Sequence, residues 1–421
     1  MKKSLFTSES GKSYVLPFFL IACLFLLSGY TNSLLDVLNK YFQEGLGISR
    51  AQSGLVQFAL YSGYFLMAIP AGMYMKAKGY NKGVVLGLFV LIAGCLLFIP
   101  GAYLQSFYIF LFALFVIACG FTFFETAANP LATFLGSKDG AARRLNLAQS
   151  FNGVGWILGP LLGGLIIFSD ESSGLTDFSR LPIPFVILGS LVLVIALFLI
   201  FKPLPDIQQR AQSSVISSQN PGTIPGQAPE QSHQKKSVFR YSHFVWAVVA
   251  QFFYVAAQTG VNSFFINYST ESSMSISNQQ ASVLLAFAGM GLFVLGRFSG
   301  SYMMKWVKPN KLLAIYAGVC VLLMVLVILG LGLVSIIALI LTYFFMSIMY
   351  PTIFALGIKD MGPLVSKASS ILVMAIVGGA LCPMLMGYIA DVSSMAIGFV
   401  IPLVGFAVIL FFGLSGHKVR S

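Results

Sequence analysis

Long apolar runs separated by short polar ones dominate the chain. A helix needs about 20 apolar residues to cross a hydrocarbon layer roughly 30 Å thick. Runs of that kind fall at 14–41, 50–76, 83–101, 106–135, 145–168 and 182–201, and again at 242–268, 280–306, 311–330, 332–358, 368–390 and 396–414. Between the two sets lies a polar stretch whose middle reads AQSSVISSQNPGTIPGQAPEQSHQKK. Rich in Ser, Gln, Pro and Gly, it has too little apolar surface to bury and predicts a mobile linker. The pattern predicts an all-α membrane protein with twelve transmembrane helices in two six-helix bundles. The expected divisions are an N-terminal bundle over 1–201, a linker over 202–240 and a C-terminal bundle over 241–421.

Composition agrees with that pattern. The 421 residues are 57% hydrophobic and 9% charged, against roughly a quarter charged in soluble domains. A formal charge of +12 raises nucleic acid as a partner, and the placement of the charges removes it. With the N-terminus inside, Lys40, Arg50 and Arg180 fall outside, Arg297 falls within a span, and every other Lys and Arg falls on the inner side. That asymmetry is the positive-inside rule. It predicts a multi-pass protein of a bacterial inner membrane, with the lipid bilayer as its surroundings and both termini cytoplasmic. The opening MKKSLFTSESGKSY leads into an apolar run too long for a signal core, so no cleaved leader is expected. The five cysteines all lie in apolar segments without metal-ligand spacing, as small packing residues do.

Thirteen acidic residues are present, and only Asp36 and Glu125 lie well inside predicted spans. A charge at bilayer depth costs about 2.5–3.5 kcal/mol on insertion scales. Such a residue faces a cavity, pairs with a cation or takes up a proton. Arg297, expected near the inner end of the eighth span, is the one deep basic residue available for pairing. The histidines lie in the linker or at span ends, which argues against a histidine relay. Helical spacing then aligns polar side chains on single faces: Ser28, Asn32, Asp36 and Asn39 in the first span, and Thr122, Glu125 and Asn129 in the fourth. Asn146, Gln149 and Asn152 align in the fifth span, and Gln251, Gln258 and Asn262 in the seventh, with Tyr254 nearby. The tenth offers Tyr343, Ser347 and Tyr350. Amides present donors and acceptors together, as sugar hydroxyls require, and aromatic faces such as Phe121, Phe124, Phe264 and Phe265 suit a pyranose ring. For each single residue, interhelical bonding or lipid contact is the competing explanation. The fifth span also carries GWILGPLLGG (155–164), which looks like the end of the antiporter motif of drug/proton exchangers. Close helix packing, with Pro160 bending the helix, explains the same residues.

The halves echo one another. AGMYMKAKGYNKG (71–83) and SGSYMMKWVKPNK (299–311) occupy equivalent places, with Gly72 matching Gly300. This plan resembles the major facilitator superfamily, although Lys76 stands where that family's signature loop has an acid. In that architecture the substrate site lies near the midplane, and helices 1, 4, 7 and 10 line the pathway. FETAANP (124–130), RLNLAQSFN (144–152), AQFFYVAAQT (250–259), LGRFSG (295–300) and FMSIMYPTIFALGIK (345–359) further resemble the L-fucose/proton symporters, in the fucose–galactose–glucose branch. The resemblance implies proton coupling through Asp36 and Glu125, with Glu125 also in the sugar cavity. It implies substrate contacts from Gln149, Asn152 and Tyr350. Asn32, Gln258 and Asn262 complete the expected site. The text departs from the branch in YTNSLLD, where Ser33 and Leu35 replace amides, and at Asn262, where an aromatic is usual. Those departures bear on which sugar is carried. The expected partners are a monosaccharide and a proton, with L-fucose first and galactose or glucose next, and a monomer suffices. No cofactor, metal or enzymatic activity is expected, for want of a nucleophile–base pair or metal cluster. The alternative is a proton-driven efflux antiporter of amphipathic compounds.

Overall fold

A chain segment in hydrocarbon must satisfy its backbone hydrogen bonds internally, and apolar runs of this length do so as helices. The computed structural model describes residues 5–6, 13–46, 50–167, 178–204, 237–271, 276 and 278–419. The first bundle holds α1 (Val15–Gly45), α2 (Arg50–Lys78), α3 (Tyr80–Tyr103), α4 (Phe107–Phe134), α5 (Ala141–Ile167) and α6 (Pro182–Phe201). The second holds α7 (Ser242–Glu271), α8 (Leu284–Met303), α9 (Pro309–Ile328), α10 (Leu333–Gly357), α11 (Gly362–Ala390) and α12 (Met395–Gly416). Among the described residues, eleven are long and apolar enough to cross a bilayer. The remaining one, α5, is 27 residues long and carries the polar stripe described above. The expected linker falls mostly on 205–236, outside the described residues. Pro130 does not interrupt α4, which continues to Phe134.

Within the first bundle α1 packs on α5, and α4 lies between α2 and α3; in the second, α7 packs on α11 and α12, and α9 on α10 and α12. The α1–α5 seam shows why glycine is needed there. A Cβ on Gly155 would overlap the Leu26 carbonyl and the Tyr30 amide, and one on Gly159 would overlap Ser33. Gly29 stands equally close to the Asn152 carbonyl. Small residues let the two backbones touch, the usual source of helix association where no hydrophobic force acts between helices. Packing therefore accounts for Gly155 and Gly159. The side chains of 160–164 lie outside the described residues.

The short connections rich in Lys and Arg gather at one end of the molecule, here called the basic end. Arg144, the first turn of α5, is fully buried there. Its guanidinium donates to the carbonyls of Ala132 (3.1 Å), Thr133, Ser137 (2.8 Å) and Leu5 (3.3 Å). Ala132 and Thr133 belong to the last turn of α4, whose carbonyls have no intrahelical donor and form the negative end of the helix dipole. A cation there neutralises both, and the Leu5 contact ties the chain start to the bundle.

The seam sets a stability test. Gly155→Ala forces α1 and α5 apart and should lower stability by about 1–3 kcal/mol, the usual range for overpacking. Gly291→Ala is the control, since nothing lies within 4 Å of its Cβ position. Thermal unfolding of the purified protein should show a lower midpoint for the first and an unchanged or higher one for the second.

Candidate functional site

Every residue of α4 from Ile117 to Thr133 is buried. Glu125 lies in the middle of this stretch, with 8% of its surface exposed. Two hydroxyls converge on its Oε1: Ser28 of α1 donates at 3.2 Å and Tyr64 of α2 at 3.1 Å. Among the described residues no cation stands against it. The choice of partners matters chemically. A hydroxyl can donate to a carboxylate and can equally accept from a carboxylic acid. The pocket is thus compatible with both protonation states, as an ion pair would not be. Asp36 lies further along α1, and its side chain is outside the described residues, as is that of Asn39.

One turn from Glu125, Asn129 Oδ1 accepts from Gln149 Nε2 of α5 at 3.1 Å. Gln149 in turn faces Arg297 of α8. Arg297 Nη1 donates to the Gln149 carbonyl, and lies 3.5 Å from Gln149 Oε1 and 3.4 Å from Asn152 Oδ1. Its Nε donates to the Ser347 carbonyl of α10 at 3.0 Å. The reason Ser347 is available lies four residues on. Pro351 has no N–H, so the Ser347 carbonyl lacks its helical donor, and α10 breaks between Met346 and Met349. Arg297 fills that place while its plane lies 4.5 Å over the Phe293 ring. Among the described residues no carboxylate pairs with Arg297, and the side chain of Asp36 lies outside them. The charge is satisfied by oxygens from both bundles, well inside the protein rather than at the basic end.

The remaining expected site residues fall around this chain of contacts. Asn152 Nδ2 donates to the Phe25 carbonyl at 3.1 Å, tying α5 to α1. Asn32 is half-buried beside the Tyr64 hydroxyl, and its Oδ1 has no partner. Tyr350 is buried, with its hydroxyl beside Asn129 and facing both Glu125 and Arg297. Neither that hydroxyl nor Asn129 Nδ2 reaches hydrogen-bond geometry. Tyr254 completes the wall: its ring lies 6.3 Å from that of Tyr350, and its hydroxyl faces Arg297. Gln258 and Asn262 are half-buried further along the same face of α7. Among the described residues no hydrogen bond joins them to the cluster, and Asn262 Oδ1 is unpartnered. The structure thus brings Asn32, Glu125, Gln149, Asn152 and Tyr350 together and leaves Gln258 and Asn262 outside the cluster, further along α7. Tyr64 was not foreseen, because α2 is not among the helices expected to line a pathway. Its signal is a tyrosine at helical spacing from Tyr61, each placing a polar tip inside an apolar span.

Polar contacts between the bundles run from this level to the basic end. Asn146 Nδ2 donates to Thr352 Oγ1 at 3.0 Å, Ser301 Oγ to the Arg143 carbonyl at 3.0 Å, and Ser366 Oγ to the Gly72 carbonyl at 2.8 Å. Tyr61 and Thr259 meet at 3.4 Å near mid-helix. Two six-helix halves joined at one end, with a buried carboxyl and unpaired amide and hydroxyl atoms between them, describe a carrier. The Major Facilitator Superfamily model matches residues 21–376. The chain belongs to the Major Facilitator Superfamily. It is 36% identical over 420 residues to the L-fucose-proton symporter of Escherichia coli (strain K12), covering 96% of this chain and 93% of that one. It is 34% identical to the glucose/galactose transporter of Brucella abortus biovar 1 (strain 9-941), covering 98% and 96%. Among solved structures it is similar to the transporter FucP in the outward conformation, with a TM-score of 0.83, 34% identity, and 97% and 100% of the two chains covered. These relatives are transporters, and the enzyme class falls away on that ground.

Arg297→Lys tests the bridge between the bundles. An ammonium is a point donor and cannot span Ser347 on one side and the α5 oxygens on the other. The loss of one such bond from a charged group is expected to cost about 1.5–3 kcal/mol, read as a lower unfolding temperature. Unchanged stability would mean the bridge holds nothing.

Proposed function

We propose that this chain carries a monosaccharide together with a proton across a bacterial inner membrane, by alternating access between its two bundles. The observation that carries the proposal is Glu125, a deep carboxyl held by two hydroxyls and, among the described residues, by no cation, within reach of unpaired amide and hydroxyl atoms. Asp36 and Glu125 take the proton. Asn32, Glu125, Gln149, Asn152 and Tyr350 bind the sugar, and Gln258 and Asn262 meet it on the way in. The amides supply donor and acceptor in one side chain, and the Tyr254 and Tyr350 rings supply apolar faces. L-fucose leads among the sugars, with galactose and glucose next, in keeping with the relatives' names.

The basic end is the cytoplasmic one by the positive-inside rule, so both termini are cytoplasmic and the stretch 202–240 links the halves there. The bundles meet at that end, which corresponds to an outward-facing state. Protonation removes the charge at Glu125 and favours sugar binding from outside. Rocking of the bundles about the midplane then exposes the site to the cytoplasm, where sugar and proton leave. Each charge moved gains about 2.3 kcal/mol per 100 mV of membrane potential. A monomer contains the whole path. Efflux of amphipathic compounds rested on the glycine-rich part of α5, and the described glycines there are accounted for by packing against α1.

Three measurements test the reading. Adding L-fucose, galactose or glucose to de-energised vesicles should draw protons inward with the sugar; no proton movement with any hexose or deoxyhexose would overturn it. Glu125→Gln should abolish uphill uptake while leaving sugar exchange, since a neutral amide stands in for the protonated acid. Uphill uptake at parental rates in that variant would remove Glu125 from coupling. Asn152→Ala should weaken sugar affinity by about tenfold, on the order of the 1.4 kcal/mol of a hydrogen bond, with a half-saturation measurement as the check.

A further inference from the structure

The polar stripes do not stop at the site. On α7 the face that carries Asn262, Gln258 and Tyr254 continues one turn toward the basic end to Gln251 and then to Ala247. The two flanking residues fix which way Gln251 faces. Ala247 packs on Gly357 of α10, and Tyr254 lies against Tyr350 of α10. Gln251 between them faces the same segment of α10. It is fully buried, and neither its Oε1 nor its Nε2 has a partner. On the other flank of α10, Asn146 of α5 donates to Thr352, but its Oδ1 is likewise buried and unpartnered. Both residues lie on the basic side of the Tyr254–Tyr350 pair, below the site described above.

A buried amide that bonds to nothing destabilises the state in which it is found. A leucine of similar volume would serve the packing better in the closed arrangement. What an amide offers that leucine does not is a donor and an acceptor for a hydroxyl-bearing ligand. When the bundles part at the basic end, the Asn146–Thr352 contact opens and uncovers that flank of α10.

We propose that Gln251 forms a second binding station for a polyhydroxy ligand on the release side of the Tyr254–Tyr350 pair. The station rests on the sugar-transport reading. It holds sugar hydroxyls transiently after the outward site has closed, and its contribution is to the rate of passage rather than to affinity from outside.

The test uses the full-length protein purified and reconstituted in liposomes, with L-fucose, D-galactose and D-glucose as probes and Gln251→Leu as the variant. Equilibrium affinity for whichever sugar binds should stay within twofold of the parent, while sugar exchange should slow at least fivefold. The unfolding temperature should be equal or higher, since an unpaired amide has been removed. Gln251→Asn, which keeps the amide, should recover part of the exchange rate. Parental exchange in Gln251→Leu would overturn the station. So would a loss of affinity matching that of Asn152→Ala, which would place Gln251 in the outward site. Where Gln251→Leu does not fold, Gln251→Ala is judged by the same affinity and exchange criteria. A parent protein that moves none of the three sugars overturns the sugar reading and the station with it; a parent that moves sugar beside an equally fast variant overturns the station alone.

Discussion

No water reaches hydrocarbon to solvate a charge, so each buried charge must be met by what the protein itself supplies. The three buried charged residues described here meet that constraint in two different ways. Arg144 and Arg297 are given to carbonyl and amide oxygens. Glu125 is given to hydroxyls. Arginine stays protonated in proteins, and fixed dipoles suit a charge that never changes. A carboxyl can lose its charge, and amphoteric hydroxyls suit a group that does. Had Arg297 paired with Glu125, the pair would have been neutral and the proton would have had no reason to bind. Keeping them apart leaves Glu125 with hydroxyl partners that suit either protonation state.

The same separation shapes the contact between the bundles. Arg297 reaches from the second bundle to Gln149 and Asn152 in the first, using a Ser347 carbonyl freed by Pro351. Toward the basic end the bundles are joined by neutral hydrogen bonds at Asn146, Ser301 and Ser366. Each such bond contributes only about 0.5–1.5 kcal/mol net. A closure built from several weak neutral contacts can be tipped by a ligand whose affinity differs modestly between the two states.

Much of this was legible in the sequence for physical reasons. The length of apolar runs sets helix number because the bilayer has a fixed thickness, and the Lys and Arg asymmetry sets topology. Glu125 stood out because a carboxyl in an apolar run has to be explained. The stripes on the first, fourth, fifth and tenth spans placed Asn32, Glu125, Gln149, Asn152 and Tyr350 on faces that do converge. The partners were harder. Tyr64 sits on a helix that periodicity alone does not turn inward. Arg297 bonds to backbone carbonyls of other helices, which have no sequence signature. Pro351 carries a signal only once Arg297 is known to stand opposite Ser347. Arg144 looked like one more positive-inside charge, and its burial follows from the end of α4 lying above it.

Infrared difference spectroscopy of the purified protein, with and without bound sugar, tests the separation of Glu125 from Arg297 most directly. A proton-carrying Glu125 predicts a protonated-carboxyl C=O band that titrates with pH, changes on sugar binding and disappears in Glu125→Gln. A band absent across the whole pH range in the parent, or one that persists unchanged in Glu125→Gln, would contradict it.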